Sequence, residues 1–98
     1  MNKKIKTEAV DHLFDAVLSL QSKEECYDFF EDLCTIKELQ DMAQRFDVAL
    51  KLSDGFNYNQ VSAATGASSA TISRVNKCLM YGNNGYNTII ERLKGEEK

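Results

Sequence analysis

The 98-residue sequence has no proline, no tryptophan, one histidine and three cysteines. Each scarcity excludes something. A proline inside a helix costs about 3 kcal/mol, so its absence leaves long helices unbroken. Cys26, Cys34 and Cys78 are odd in number and lack the C-x-x-C spacing, which argues against a disulfide framework or a zinc site. They read as reduced thiols packed like small hydrophobes. Apolar runs are too short for a transmembrane helix, so no membrane partner is expected. The start, Met1-Asn2-Lys3-Lys4, is basic, but Asp11, His12 and Asp15 interrupt the stretch from Ala9 to Leu20. No signal-peptide core follows, and a cytoplasmic protein is expected. His12 is the sole imidazole. No Ser/His/Asp set, paired-carboxylate pocket, P-loop or dinucleotide glycine pattern accompanies it, so the sequence does not read as an enzyme. Neither a cofactor nor a metal is expected.

Acidic residues are also missing from one long stretch. The formal net charge is −3, which by itself argues against a nucleic-acid partner. Its distribution reverses that argument. Residues 1–55 carry seven Lys/Arg and twelve Asp/Glu, a balance of −5. Residues 56–90 carry Arg74 and Lys77 and no carboxylate. This is the part of the chain that can approach phosphate without repulsion.

What is present is helical periodicity. Val10, Leu13, Phe14, Val17 and Leu18 predict an amphipathic helix over about residues 6–20. Ser22-Lys23-Glu24-Glu25 and Thr35-Ile36-Lys37-Glu38 have the spacing of capping boxes. They open helices over about 23–34 and 36–53, and Asp54-Gly55 stops the second of these. Asn57 caps a short helix over about 58–65, Gly66-Ala67 turns the chain, and Ser68 caps a helix over about 69–81. Gly82-Asn83-Asn84-Gly85 is a loop suited to positive φ. Asn87 or Thr88 starts a last helix to about Lys94. The expected fold class is all-α, with one domain spanning 1–98. A chain this small gains core from a second copy, so a homodimer is expected.

Residues 61–75 have the physics of a helix-turn-helix. Val61, Thr65, Ala67, Ile72 and Val75 fall where two helices pack on each other and on the domain. Ser62 is small where they cross. Gly66 sits where the turn needs φ > 0, and Ser68 caps the second helix. Ser69, Ala70, Ser73, Arg74 and Lys77 are left free of core duty. Small side chains let a helix N-terminus approach a DNA groove, and its free amides suit phosphate. Hydroxyls can touch base edges, and Arg74 and Lys77 can hold the backbone or a guanine. The competing reading is a structural αα-hairpin in a protein-protein interaction module.

The run Thr65-Gly66-Ala67-Ser68-Ser69-Ala70-Thr71-Ile72-Ser73-Arg74 resembles the reading head of the tryptophan operon repressor family, especially its YerC/YecD branch. Leu33-Cys34-Thr35-Ile36-Lys37-Glu38-Leu39-Gln40-Asp41, followed by a helix carrying Arg45, is similar to the family's central region. So is the order of six helices, and the similarity covers roughly residues 10–94. The resemblance implies an intertwined dimer that binds double-stranded operator DNA as a transcriptional regulator, a repressor. Dimerisation would use about residues 6–53 and 86–94, and the helix-turn-helix about 57–81. It implies reading-head roles for Ser68, Ser69, Ala70, Thr71, Ser73, Arg74 and Lys77, with Asn59 and Gln60 near the DNA backbone.

The repressor that gives the family its name binds L-tryptophan between two arginines. Arg74 matches the one on the reading helix. Arg45 matches the one on the central helix, unless a one-residue shift puts Gln44 there. Arg45 also suits an ion pair with Asp41 or Glu38 at helical spacing. The named repressor has glycine after the reading-helix arginine, and this chain has Val75. That substitution fills the space for an indole, so L-tryptophan is not expected as an effector.

Overall fold

Six helices form where the caps and periodicity place them: α1 (Glu8–Leu18), α2 (Lys23–Leu33), α3 (Ile36–Ser53), α4 (Tyr58–Thr65), α5 (Ser69–Tyr81) and α6 (Gly85–Glu96). The structure is a computed structural model that describes residues 2–96; positions 1, 97 and 98 of the expected 1–98 domain lie outside the described residues. No strand occurs among the described residues. The chain divides into two compact units, residues 1–39 and 40–98, and α3 runs through the boundary.

The first unit is held locally. Thr7 Oγ1 accepts from the Val10 amide at 3.1 Å and starts α1. Ser22 Oγ accepts from the Glu25 amide at 3.1 Å, while Glu25 reaches back to the Gln21 amide at 2.8 Å. Thr35 and Glu38 exchange both bonds of a capping box, at 3.1 and 2.9 Å. These bonds satisfy amides that a helix start leaves without partners. The Glu38 carboxyl is held below its ordinary value first by the Thr35 backbone bond and then by the Thr35 side chain. Helix α1 is shorter than the periodicity predicts. The Ser19 hydroxyl donates to the Ala16 carbonyl at 2.7 Å and closes its last turn. No described residue of this unit is buried. Leu18 is 83% exposed, Ile36 77% and Phe14 53%.

The second unit has a core. Val48 and Ala49 of α3, Val61 of α4, Ala67 of the turn, Ile72 and Val75 of α5 and Ile90 of α6 are all buried. Phe46, Leu50, Leu52, Leu79 and Tyr86 pack around them. Burying a Val or Ile side chain contributes about 1.5–3 kcal/mol. The Phe46 and Tyr86 rings stack with centroids 6.4 Å apart. Polar ties complete the unit. Asn87 Nδ2 donates to the Leu79 carbonyl at 2.9 Å, and Lys94 Nζ lies 3.1 Å from Asp54 Oδ1.

Helix α6 begins at Gly85, earlier than the expected start at Asn87 or Thr88. Asn84, just before the helix, adopts φ +67, and its carbonyl accepts the first helical bond, from the Thr88 amide at 3.0 Å. Asn and Asp tolerate this left-handed region better than other side chains. Asn87 lies inside the helix and spends its amide on Leu79 and Asn84. Gly82 ends α5; its amide donates to the Cys78 carbonyl at 2.9 Å. A Cβ there would lie 2.5 Å from that carbonyl oxygen, so only glycine fits without a backbone shift.

Candidate nucleic-acid interface

Helices α4 and α5 form a two-helix head that is fixed from inside. Val61, Ala67, Ile72 and Val75 are buried, as their spacing predicts, and Thr65 is half-buried. Gly66 adopts φ +73, the left-handed conformation the turn needs. Three side chains hold the turn. The Ser62 hydroxyl donates to the Ala67 carbonyl at 3.2 Å. The Thr65 hydroxyl donates to the Val61 carbonyl at 2.8 Å and accepts from the Ala67 amide at 3.2 Å. Gln44 Nε2, from α3, donates to the Thr65 carbonyl at 3.2 Å. A turn tied at this many points holds the start of α5 in one orientation.

The two faces of α5 differ. Ile72 and Val75 point into the core, with Leu79 half-buried one turn on. Ser69, Ala70, Ser73, Arg74 and Lys77 are exposed. Arg74 and Lys77 form no ion pair among the described residues, whereas Lys51 pairs with Asp47 at 3.4 Å and Lys94 with Asp54 at 3.1 Å. The head therefore presents small polar side chains near the start of α5 and two uncompensated cations further along.

Not every expected contact residue is free. The Ser68 hydroxyl accepts from the Thr71 amide at 3.2 Å and donates to Thr71 Oγ1 at 3.1 Å. Ser68 and Thr71 therefore serve the cap of α5. Gln60 Oε1 accepts from the Asn57 amide at 2.9 Å, and Asn57 Oδ1 accepts from the Gln60 amide at 2.9 Å, a reciprocal capping box at the start of α4. That leaves the Gln60 side-chain NH₂ and the second lone pair of Oε1 for another partner. Asn59 is exposed on the same helix turn. The sequence reading missed the capping role of Gln60, although N-x-x-Q spells it. It also missed Gln44 as the anchor of the turn.

The two arginines expected around an effector differ in environment. Arg74 is exposed on α5 and Arg45 half-buried on α3. Arg45 has no ion pair among the described residues, and the Glu38 carboxylate serves its own helix start instead. Val75 is 1% exposed and belongs to the core. Among the described residues, no three His, Cys, Asp or Glu side chains gather so as to hold a metal. No described helix is long and apolar enough to cross a membrane.

Comparison with known proteins agrees with this geometry. The family model described as Trp repressor protein matches residues 8–94. YerC of Bacillus subtilis strain 168, itself uncharacterised, is 50% identical over 94 residues, covering 96% of this chain and 90% of YerC. The crystal structure of a TrpR-like protein from Eubacterium eligens superposes with a TM-score of 0.92 at 54% identity, covering 95% of this chain and 96% of that one. A Staphylococcus aureus protein, solved as a candidate Trp repressor, gives 0.91 at 46% identity, covering 94% and 92%. With the match running from the first residue of α1 into α6, and the six helices superposing on those of the solved relatives, the chain belongs to the Trp repressor family.

Proposed function

We propose that this protein is a sequence-specific DNA-binding transcriptional regulator, a repressor, that acts as a homodimer through α4 and α5. One observation carries the reading. The exposed face of α5 has two unpaired cations and small polar residues, in a 35-residue stretch without a carboxylate, on a member of the Trp repressor family. Ser69, Ala70 and Ser73 meet base edges in the major groove. Arg74 and Lys77 hold phosphate or guanine, and Asn59 and the free NH₂ of Gln60 lie near the backbone. Ser68 and Thr71 act by fixing the helix start whose amides face the DNA. The protein works in the cytoplasm, where bacterial operators are.

The homodimer is supported by the exposure of Phe14, Leu18 and Ile36. Apolar surface on this scale marks an interface. A second copy supplies its cover, with dimerisation through about residues 6–53 and 86–94 of a single 1–98 domain.

L-tryptophan is not the effector. Val75 occupies the position where an indole would need an absent side chain, and it is stiff at χ1. Overpacking of this kind costs about 1–3 kcal/mol. A ligand binding at tens of micromolar to 0.1 mM has only about 5–6 kcal/mol to spend. Calorimetry with tryptophan should show no saturable heat, and operator binding should not tighten when it is added.

Fluorescence anisotropy with labelled duplexes from in vitro selection tests the main reading. Arg74→Ala and Lys77→Ala should each lower the slope of log affinity against log salt by about one if they contact phosphate. Ser69→Ala and Ser73→Ala should shift sequence preference instead. No binding to any duplex at low salt would leave a helical protein-interaction module in its place.

A further inference from the structure

We propose that Asn84 is a site of covalent self-modification. Its side-chain amide is lost through a succinimide closed by the Gly85 nitrogen, with water as the co-reactant. The products carry aspartate or isoaspartate at the junction of α5 and α6. Seven asparagines occur in the sequence, and only Asn84 is followed by glycine. Glycine matters because it puts no Cβ beside the attacking nitrogen. The surroundings leave that nitrogen open as well: beyond the chain neighbours, nothing lies within 4 Å of where a Cβ on Gly85 would stand. Gly85 is the first residue of α6, where the helix gives its amide no acceptor. No other described residue bonds that amide. On the electrophile's side, Asn87 Nδ2 donates to Asn84 Oδ1 at 3.1 Å. That bond draws electron density from Cγ and is in place for the negative charge that builds on Oδ1 during attack. Asn83, Asn84 and Gly85 are all exposed, so water reaches the site.

The steps balance without an oxidant or a second protein. The Gly85 amide gives up its proton to solvent, and its nitrogen bonds to Asn84 Cγ. The Cγ–Nδ2 bond breaks, and Nδ2 leaves as ammonia. Water then opens the ring. Opening at Cγ gives aspartate. Opening at the main-chain carbonyl gives isoaspartate, whose main chain runs through Cβ and Cγ. Either way a neutral amide becomes a carboxylate. It is the first carboxylate in residues 56–90. Negative charge suits the start of α6, so the aspartate is accommodated. The isoaspartate lengthens the chain just where Asn87 ties α6 back to the Leu79 carbonyl.

Asp54-Gly55 has the same spacing and opposite surroundings. The Gly55 amide donates to the Leu52 carbonyl at 3.1 Å, and Asp54 Oδ1 lies 3.1 Å from Lys94 Nζ. Its nitrogen is engaged, and its charged carboxylate is a poor electrophile. That pair should stay intact.

The test incubates the full folded chain at neutral and mildly alkaline pH, beside the same chain unfolded in urea. Trypsin then releases the peptide spanning residues 78–92, which is followed by mass spectrometry. A gain of about one dalton at Asn84 is expected, with release of ammonia and enzymatic methyl labelling of isoaspartate. The folded chain should convert within about tenfold of the rate of the unfolded chain, and faster at the higher pH. Gly85→Ala, which leaves the fold in place, should slow the reaction by about tenfold or more. Asn84 that stays intact in the folded chain while the unfolded chain converts would overturn the proposal. So would equal conversion of Asn83 or Asn87, or isomerisation at Asp54, because the local bonds would then not select Asn84. None of these readouts depends on DNA binding.

Discussion

Residues 2–39 and residues 40–96 solve the same problem in opposite ways. Both are helical and carry amphipathic stripes. The second unit closes seven side chains into a core, and the first closes none. Instead, the first unit ends its helices carefully: Thr7, Ser22 with Glu25, and Thr35 with Glu38 all cap. Capping and periodicity suffice to define a helix. Burial of the stripe is a separate requirement, and here it is met only where α3, α4, α5 and α6 meet. Helices shorter than about 12–15 residues are marginal in water without tertiary packing. Helices α1 and α2 have 11 residues each, so caps and intrinsic propensity alone leave them marginal.

The largest expected effect breaks the unit that has a core. Ile72→Ala removes a side chain that is 1% exposed, at the crossing of the two motif helices. The loss should be about 2–5 kcal/mol, read from urea denaturation followed by circular dichroism. A loss no larger than that of an exposed position would show that the core is not where the burial pattern puts it.

The converse change targets the unit without a core. Phe14→Glu/Leu18→Glu alters two exposed positions one turn apart on α1. Inside a single copy these changes are nearly neutral. If a second copy covers the stripe, the variant should be a monomer by light scattering at micromolar concentration. The parent should be a dimer whose melting temperature rises with protein concentration, and that dependence should vanish in the variant. Two monomers would refute the dimer and leave the exposed stripe without a cover.

A smaller loss is expected at the hinge between α5 and α6. Gly82→Ala would force Cβ against the Cys78 carbonyl, and a strain of this sort costs about 1–3 kcal/mol. Thermal melting should register it, while Gly85→Ala, where nothing lies within 4 Å of an added Cβ, should change little.

What the sequence disclosed follows the range of each interaction. Caps act over three residues, so Ser22, Thr35, Asn57 and Ser68 could be read directly, and α3, α4 and α5 have the predicted bounds. The helix-turn-helix core was legible because Gly66, the cap and the apolar spacing are all local. Gln44 was not, because its bond to the Thr65 carbonyl joins residues 21 positions apart and leaves no periodic trace. The start of α6 was misplaced for a related reason. Asn84, Asn87 and Thr88 are all cap-forming types, and residue type does not choose among them; in the fold Asn87 lies inside the helix and gives its side-chain amide to Leu79 and Asn84. At the candidate interface, the family resemblance implied contact roles for Ser68 and Thr71, and the fold adds that their hydroxyls are bonded to each other at the start of α5. Residue type states what a side chain can bond; only the fold states what it has already bonded.

The smallest effect sharpens the claim that the first unit depends on its helix ends. Glu38 is the acidic member of the Thr35 capping box, and its carboxyl is held below the ordinary 4.5 by the Thr35 backbone bond first and the Thr35 side chain second. A carboxyl lowered in the folded state favours folding when it is ionised. Its contribution is therefore complete above its unfolded value and is lost as pH falls through the lowered folded value. Glu38→Gln keeps the shape of the box but has no proton to gain, and it loses the attraction of a negative charge for the start of α3. At neutral pH the variant should melt slightly below the parent. As pH falls below about 4.5 the two curves should converge, because the parent's carboxylate becomes neutral too. The other acids titrate in both proteins alike, so the difference between the two melting profiles isolates this one group. Parallel profiles from neutrality to acid would mean that the cap bond is formed equally in the unfolded chain, and that α3 owes its start to packing further along the helix.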